Sequence, residues 1–245
     1  LTTGVNNIAI GGTAMGGDPG PTTENHNLAI GVNSMGGNIA GGEYNVMIGN
    51  YTGQSLTSAD NNVAVGYLAG ANMTSGGTNT FVGFEAGKET QTGTGNTFIG
   101  EQSGRANTGS SNTGVGRDTL YTNTAGNNNV AIGDSTLKNN TTAGGNTGLG
   151  YQSLFTNTTG GGNVGVGFRS LYLNTTGQYN VAVGAFALDA STTASYNVAV
   201  GRASLGANTT GAANVALGYA TLNANTTASN NTAVGYNALH ANTTG

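Results

Sequence analysis

A five-residue pattern occurs fourteen times along this chain: Asn, two residues of which the second is usually small, an aliphatic residue and Gly. Asn231 to Gly235 is one copy. The copies begin at residues 7, 27, 45, 62, 79, 96, 112, 129, 146, 163, 180, 197, 214 and 231, so the spacing is 17 residues for most of the chain. A fixed period in this range predicts a solenoid, in which each repeat forms one coil and stacks on the next.

Alternating residue types within one copy predict a short β-strand. In the copy at Asn180, the side chains of Val181 and Val183 fall on one face, and those of Asn180 and Ala182 fall on the other. Because the position of Val183 is aliphatic in all fourteen copies, we expect it to fill the interior. The following Gly is also present in every copy, which predicts a corner with a positive φ or a very close backbone approach.

The rest of the repeat predicts a second strand and a turn. After the corner, Tyr219–Leu222 ends in a small residue followed by leucine, so we expect a second short strand with Leu222 turned inward. Residues 225–228 are typical of a polar turn that returns the chain to the next Asn. The fold class that follows is all-β, a parallel β-solenoid or β-roll of about fourteen 17-residue coils.

Repeat type divides the single array, residues 1–245, into three stretches. Residues 1–44 hold longer repeats, whose insertions at 16–21 and 36–39 are expected to bulge from one corner. At one position, repeats in residues 45–111 carry glycine and those in 112–245 carry leucine, which predicts a change in core filling. The glycines are Gly53, Gly70, Gly87 and Gly104, and the leucines run from Leu120 to Leu239. Because the sequence starts and stops inside a repeat, we expect it to be an excerpt of a longer chain.

Composition argues against several classes of function. Charged residues are 7 % and the net charge is −4, so we expect no nucleic-acid partner and no basic lipid anchor. Cysteine is absent, and no apolar run approaches the roughly 20 residues that span a membrane, so we expect no membrane insertion in this segment.

Catalysis and metal binding are not predicted either. The carboxylates are dispersed along the chain, and the only two histidines, His26 and His240, lie near opposite ends. General acid–base catalysis needs titratable groups held together in a cleft, as a lyase or hydrolase built on a β-helix would have. We therefore expect no enzyme, no cofactor and no metal.

Stacked repeats bring equivalent residues into columns. The opening asparagines, including Asn180, Asn197, Asn214 and Asn231, are expected to hydrogen-bond along the axis as a structural amide ladder. The Thr-Thr pairs predict an external threonine ladder, which raises ice binding as an alternative. Adjacent side chains point in different directions, however, so the pairs do not predict a flat two-column face. The Asn-Thr-Thr triplets also match a glycosylation acceptor, and residues 118–120 and 134–136 resemble an O-glycosylation signal.

One column mixes cations with aromatic rings. Its members are Lys88, Arg105, Tyr121, Lys138, Phe155 and Tyr172. Aromatic and polar groups side by side suit a surface glycan site, and cation–π contacts would also rigidify the column. A structural stack or a subunit contact remains the alternative, as it does for the shorter pair Tyr179 and Tyr196.

The copy at residues 214–222 resembles the head repeats of trimeric autotransporter adhesins, and it is similar to repeats of phage tail fibres and bacterial surface fibre proteins. The resemblance covers essentially the entire chain. It implies a parallel β-roll in which three chains pack around a common axis, displayed outside the cell or on a virion. This repeat is longer than the adhesin repeat, mostly by its Asn-Thr-Thr-Gly turn, and the sequence shows no stalk, anchor or chaperone domain. The carrier, cell or phage, is therefore left open.

The function expected from these observations is structural and adhesive. Small residues such as Ala182, and Met47, Phe81 and Phe98 on the face expected to point outward, favour a covering neighbour and thus support a homotrimer. The chain would act as an extracellular fibre shaft or adhesin head that attaches to a host surface or glycan receptor through many weak contacts. The alternative is a single-chain solenoid that binds ice or glycans.

Overall fold

The computed structural model describes residues 4–16 and 25–244, and its regular secondary structure consists of three-residue β-strands. The chain forms two compact units, residues 1–125 and 126–245. The first unit holds β1 Ile8–Ile10, β2 Leu28–Ile30, β3 Val46–Ile48, β4 Val63–Val65, β5 Thr80–Val82, β6 Thr97–Ile99 and β7 Thr113–Val115. The second holds β8 Val130–Ile132, β9 Thr147–Leu149, β10 Val164–Val166, β11 Val181–Val183, β12 Val198–Val200, β13 Val215–Leu217 and β14 Thr232–Val234.

Within each unit, every strand pairs in parallel with the strand of the next repeat. Equivalent residues are aligned, as in Val164 with Val181 and Val181 with Val198. The same register holds from β1 to β7 and from β8 to β14. The predicted parallel β-solenoid with coils of about 17 residues is therefore confirmed. The first insertion, residues 16–21, falls largely outside the described residues. In the second, the Ile39 side chain is buried rather than bulging outward.

The two faces of the strand are the reverse of the prediction. From β2 to β14 the middle residue is buried, whereas the first and last residues are half-buried or exposed. Ala182 is 0 % exposed, and so are Phe81 and Phe98, which were expected to face outward. The position of Val183, expected in the core, lies on the outer face. The physical reason is the buried Asn, which shares its face with the middle residue and needs partners that only the interior supplies.

Core filling depends on two positions whose sizes compensate. Where the middle strand residue is Phe98, the glycine-or-leucine position holds Gly104, and a Cβ on Gly104 would lie 2.3 Å from the Phe98 ring. Where the middle residue is Ala182, the same position holds Leu188, and both side chains are 0 % exposed. The predicted change in core filling is thus an exchange of volume between two facing side chains at interior packing density.

The corner glycine satisfies both conditions that the sequence predicts. Its φ lies between 119° and 138° in every copy. A Cβ on Gly83 would lie 2.4 Å from the carbonyl oxygen of Gly100, the equivalent glycine of the next coil. Neither the backbone angle nor the contact admits a side chain.

The predicted second strand is wrong. Leu222 does turn inward, at 0 % exposure, but it adopts φ 50° and belongs to a turn. Ala220, two residues earlier, also has a left-handed backbone, with φ 48°. Left-handed residues bend the chain too tightly for a strand, yet the Leu222 N–H still donates to Ala238 O of the next coil at 3.0 Å. The coil therefore has one strand and a hydrogen-bonded turn.

The volume exchange predicts a compensating double variant. Gly104→Leu alone should destabilise the fold by about 1 to 3 kcal/mol through overpacking against Phe98, and Phe98→Ala alone by about 3 to 5 kcal/mol through a cavity. The double variant converts this coil to the leucine type and should be more stable than either single variant. Urea unfolding of the four proteins measures the coupling. Additive losses would contradict the facing arrangement.

Candidate functional site

The outer face of each unit carries an uninterrupted aliphatic column, formed by the last residue of every strand. We call this column the apolar stripe. Its members are Ile10, Ile30, Ile48, Val65, Val82, Ile99 and Val115 in the first unit, and Ile132, Leu149, Val166, Val183, Val200, Leu217 and Val234 in the second. None of them is buried, and Ile99, Leu149 and Val200 are 40 %, 44 % and 37 % exposed.

Neighbouring columns show that the stripe differs from ordinary strand surface. The first residue of each strand also lies on the outer face, and there Thr replaces the aliphatic residue in five strands, beginning at Thr80, Thr97, Thr113, Thr147 and Thr232. Threonine suits a strand as well as valine does and is compatible with water. The stripe carries no such replacement in any of its fourteen copies, so its aliphatic character is stricter than that of the neighbouring column.

The opening asparagines lie in the interior and form an amide ladder. Asn197 Nδ2 donates to Asn180 Oδ1 at 3.2 Å, Asn214 to Asn197 at 3.2 Å, and Asn231 to Asn214 at 3.1 Å. Each Oδ1 also accepts the backbone N–H of the next asparagine, and the Nδ2 of Asn197 also donates to the Gly211 carbonyl at 2.9 Å. Because the amide groups are used within the fold, this column is structural.

A second asparagine ladder escaped the sequence prediction. It runs through the Asn of the Asn-Thr-Thr turn, with Asn157 donating to Asn140 at 2.9 Å and Asn174 to Asn157 at 2.7 Å. The Asn that recurs at this point of the repeat is the sequence feature that could have predicted this ladder. These asparagines are 0 % exposed, so the folded chain does not present them for glycosylation. The hydroxyls of Thr119 and Ser135, in the other two candidate signals, are also buried.

The second ladder is interrupted at one coil of the second unit. Ser191 stands where adjacent coils carry Asn174 and Asn208. Ser191 Oγ and Asn174 Oδ1 are both buried, and neither forms a hydrogen bond with any described residue. A buried polar atom without a partner costs about 1 to 3 kcal/mol, so this coil is a local weakness.

The threonine pairs of the second unit divide their roles. The first Thr of a pair donates its hydroxyl to the carbonyl of the next coil, as Thr158 does to Thr175 O at 3.0 Å and Thr175 to Thr192 O at 3.0 Å. The second Thr, such as Thr159 or Thr176, is exposed. The surface therefore carries one threonine column, whereas a flat ice-binding face would need more than one.

The structure assigns different roles to the predicted cation–aromatic column in the two units. In the first unit, Lys88 Nζ and Arg105 Nε bind the carboxylate of Glu85 at 2.8 and 2.7 Å, and the Arg105 guanidinium lies 5.6 Å from the Tyr121 ring centre. In the second unit, the rings of Phe155 and Tyr172 stack at 5.4 Å. Lys138, the other member, is half-buried. The pair Tyr179 and Tyr196 stacks at 5.5 Å on an exposed edge.

Glu85 is the centre of the charged cluster in the first unit. Glu85 is only 8 % exposed, and Gln102 Nε2 adds a third hydrogen bond to its carboxylate at 3.0 Å. Burial alone raises the pKa of this carboxyl, but the hydrogen bonds from Lys88, Arg105 and Gln102 outweigh burial and lower the pKa from 4.5 to about 2. Both cations of this cluster are therefore committed to holding the fold together.

A larger cation–aromatic cluster in the second unit escaped the sequence prediction. Arg169 Cζ lies 4.4 Å from the Tyr172 ring centre and 5.8 Å from that of Phe168. Arg202 Cζ lies 5.9 Å from the ring centre of Phe186 and 5.8 Å from that of Tyr219. Its members occupy several repeat positions, so a search along one column did not bring them together.

Comparison with known proteins yields no relative: the chain matches no protein family, no curated protein and no solved structure. In the described part of the chain, no group of three or more His, Cys, Asp or Glu side chains is placed to bind a metal ion. The same residues include no helix with the length and hydropathy of a membrane span.

Completing the second asparagine ladder should stabilise the chain. Ser191→Asn would supply a donor to Asn174 Oδ1 and an acceptor for Asn208, and we expect a gain of about 1 kcal/mol. Thr193→Asn, on the exposed side of the same turn, is the matched control and should change stability by less than about 0.5 kcal/mol. Urea midpoints measure both. A Ser191→Asn variant no more stable than the control would count against the proposed gap.

Removing the Glu85 charge should alter stability in acid. A lowered pKa means that the carboxylate stabilises the fold above pH 4.5 and loses this contribution as the pH falls towards 2. Glu85→Gln should therefore cost about 1 to 3 kcal/mol at pH 7, and the difference from the unmodified chain should shrink over that window. The measurement is urea unfolding at pH 7, 4 and 2.5. Glu101→Gln, an exposed control, should have little effect, and a pH-independent loss in Glu85→Gln would refute the charge argument.

Proposed function

We propose that this chain is a non-enzymatic structural and adhesive protein that works as a homotrimeric fibre shaft or adhesin head outside the cell, on a cell surface or a virion. The observation that carries the proposal is the apolar stripe, which is aliphatic in all fourteen copies although a single chain leaves it unburied. Exposed apolar columns of this extent mark surfaces that bind another protein.

A second copy of the same chain fits this stripe best. The stripe repeats once per coil along the stacking direction, so a partner with the same repeat can make the same contact at each coil. Closed cyclic assemblies use one surface of every chain repeatedly, which covers the stripe without leaving an open end for aggregation. The resemblance of the repeat to trimeric adhesin heads selects three chains.

Attachment in this proposal is physical and multivalent. Repeated coils present the same outward side chains many times, and linked weak contacts raise the overall affinity far above that of one contact. The hydrogen-bonded interior, with asparagine amides used on every side, supports a surface that keeps its spacing. A host surface or a glycan is the proposed receptor.

Charging the stripe should separate the chains. The native mass of the unmodified protein should correspond to three chains by light scattering. Val166→Lys combined with Val183→Lys should yield single chains with an unchanged circular dichroism spectrum, because a buried charge without a partner opposes association.

The control places the same two charges elsewhere on the same coils. Thr176→Lys combined with Thr193→Lys changes exposed threonines and should remain trimeric. A monomeric unmodified chain, at every concentration tested, would overturn the assembly. Equal dissociation in both double variants would show that added charge, rather than the stripe, separates the chains.

A further inference from the structure

The second unit carries a surface that combines cations and aromatic rings without any carboxylate bound to those cations. We define the cation–aromatic surface as Phe168, Arg169, Tyr172, Phe186, Arg202 and Tyr219. All six lie on coils within residues 163–222, and Phe168, Arg202 and Tyr219 are exposed. Among the described residues, neither Arg169 nor Arg202 forms an ion pair.

The second unit also carries a net positive charge, as the binding of an anion requires. Residues 126–245 contain Lys138, Arg169 and Arg202 against Asp134 and Asp189, which is 3 − 2 = +1, whereas the chain as a whole is −4. Of these two acidic groups, Asp189 interacts electrostatically with Arg169 of the surface. Burial raises its pKa, while backbone hydrogen bonds and attraction to Arg169 oppose that rise. Two guanidinium groups against one carboxyl leave the surface positive.

Hydrogen-bonding capacity remains on both guanidinium groups. Arg169 donates from Nε to Gln152 Oε1 at 3.0 Å, and Arg202 donates from Nη1 to Tyr219 Oη at 3.3 Å. A guanidinium has five N–H donors, and its flat fork matches the two oxygens of a carboxylate. The aromatic rings beside it hold the side chain in place, so less freedom is lost when an anion binds.

Ring orientation distinguishes Phe186 from the other aromatic rings at this surface. Tyr151 and Phe168 stack nearly in parallel, at 17°, and so do Tyr219 and Tyr236, at 11°. Parallel stacking covers ring faces. Phe186 instead lies at 68° to Phe168, with ring centres 5.1 Å apart, so Phe186 is not a member of that parallel stack. A ring face beside a fixed cation suits the apolar face of a sugar ring.

Spacing favours a linear polymer over a small ligand. Arg169 and Arg202 lie two coils apart, which corresponds to about 10 Å along the stacking direction. A polysaccharide with an acid on alternate sugars carries its carboxylates at a comparable interval. Two such contacts on one chain would reinforce each other.

We propose that the cation–aromatic surface binds acidic polysaccharides of the uronic acid class, with Arg169 and Arg202 each holding a carboxylate and Phe186 contacting a sugar face. This assignment names a ligand class for the attachment proposed above and rests on it. Tyr172 belongs both to this surface and to the predicted column, in which it stacks on Phe155. Lys88 and Arg105, two other members of that column, bind Glu85 and do not contribute.

The test is binding of the full chain to immobilised hyaluronate, with dextran as the neutral polymer. The unmodified protein should bind hyaluronate and not dextran. Arg169→Gln combined with Arg202→Gln should weaken binding at least about tenfold, since each variant removes a charge-assisted contact. Lys138→Gln, which removes a charge from the same unit outside the surface, should retain binding within about twofold.

Each result decides the assignment. Absence of hyaluronate binding, equal binding of dextran, or equal losses in the Lys138→Gln and arginine variants would overturn it. Circular dichroism and native mass of every variant should match the unmodified chain, so that a loss of binding is not a loss of fold. Because assembly is measured separately on the stripe variants, a monomer that binds hyaluronate would reject the trimer alone, and a trimer that does not bind would reject this surface alone.

Discussion

In-register stacking of identical hydrogen-bonding groups is the constraint on which this structure depends. Asn197, for example, donates twice through Nδ2 and accepts twice at Oδ1, so it is bound by the coils on both sides of it. A buried amide that lost its neighbour would leave donors or acceptors unpaired, at a cost of about 1 to 3 kcal/mol. Substituting one coil therefore affects two others, which explains why Asn occurs in all fourteen copies.

The corner glycine and the core volume follow from the same stacking. Equivalent glycines approach until a Cβ would lie 2.4 Å from the next carbonyl, as between Gly83 and Gly100. In most coils, one large side chain at either the middle strand position or the glycine-or-leucine position fills the interior. Phe98 occupies that space from the strand, and Leu188 occupies it from the turn. The two repeat types are alternative solutions to one packing problem.

Periodicity determined the architecture but could not orient the strand. Alternation places Val181 and Val183 together and Ala182 apart, and nothing in a two-residue period says which face is inside. The prediction chose the more apolar face, as suits an isolated domain. The sequence did contain a signal for the buried face, namely that Phe98 occurs with Gly104 whereas Ala182 occurs with Leu188. Side chains that compensate in volume share one space, so the middle strand residue had to face the interior.

The turn at Leu222 and the cation–aromatic surface could not be predicted from the sequence for other reasons. A small residue followed by leucine reads as a strand, whereas Leu222 adopts a left-handed backbone that leucine rarely takes without support from its surroundings. Its carbonyl and N–H both find partners, which provides that support. Arg169 and Phe186 both contact Phe168, which occupies a different position of the repeat. Such contacts depend on the direction of each side chain, and aligning equivalent residues in columns does not give that direction.

The reversed strand changes the meaning of the aliphatic column. Had Val183 filled the core, its repetition would need no explanation beyond packing. On the outer face, fourteen aliphatic residues would drive association of any kind, including disordered aggregation, in a chain with only 7 % charged residues to oppose it. An assembly that closes on itself removes this surface from water completely. Charges that remain outside the stripe, such as those of Arg169 and Arg202, are then free to act on ligands, so the proposed division between assembly and attachment follows from which face of one strand points outward.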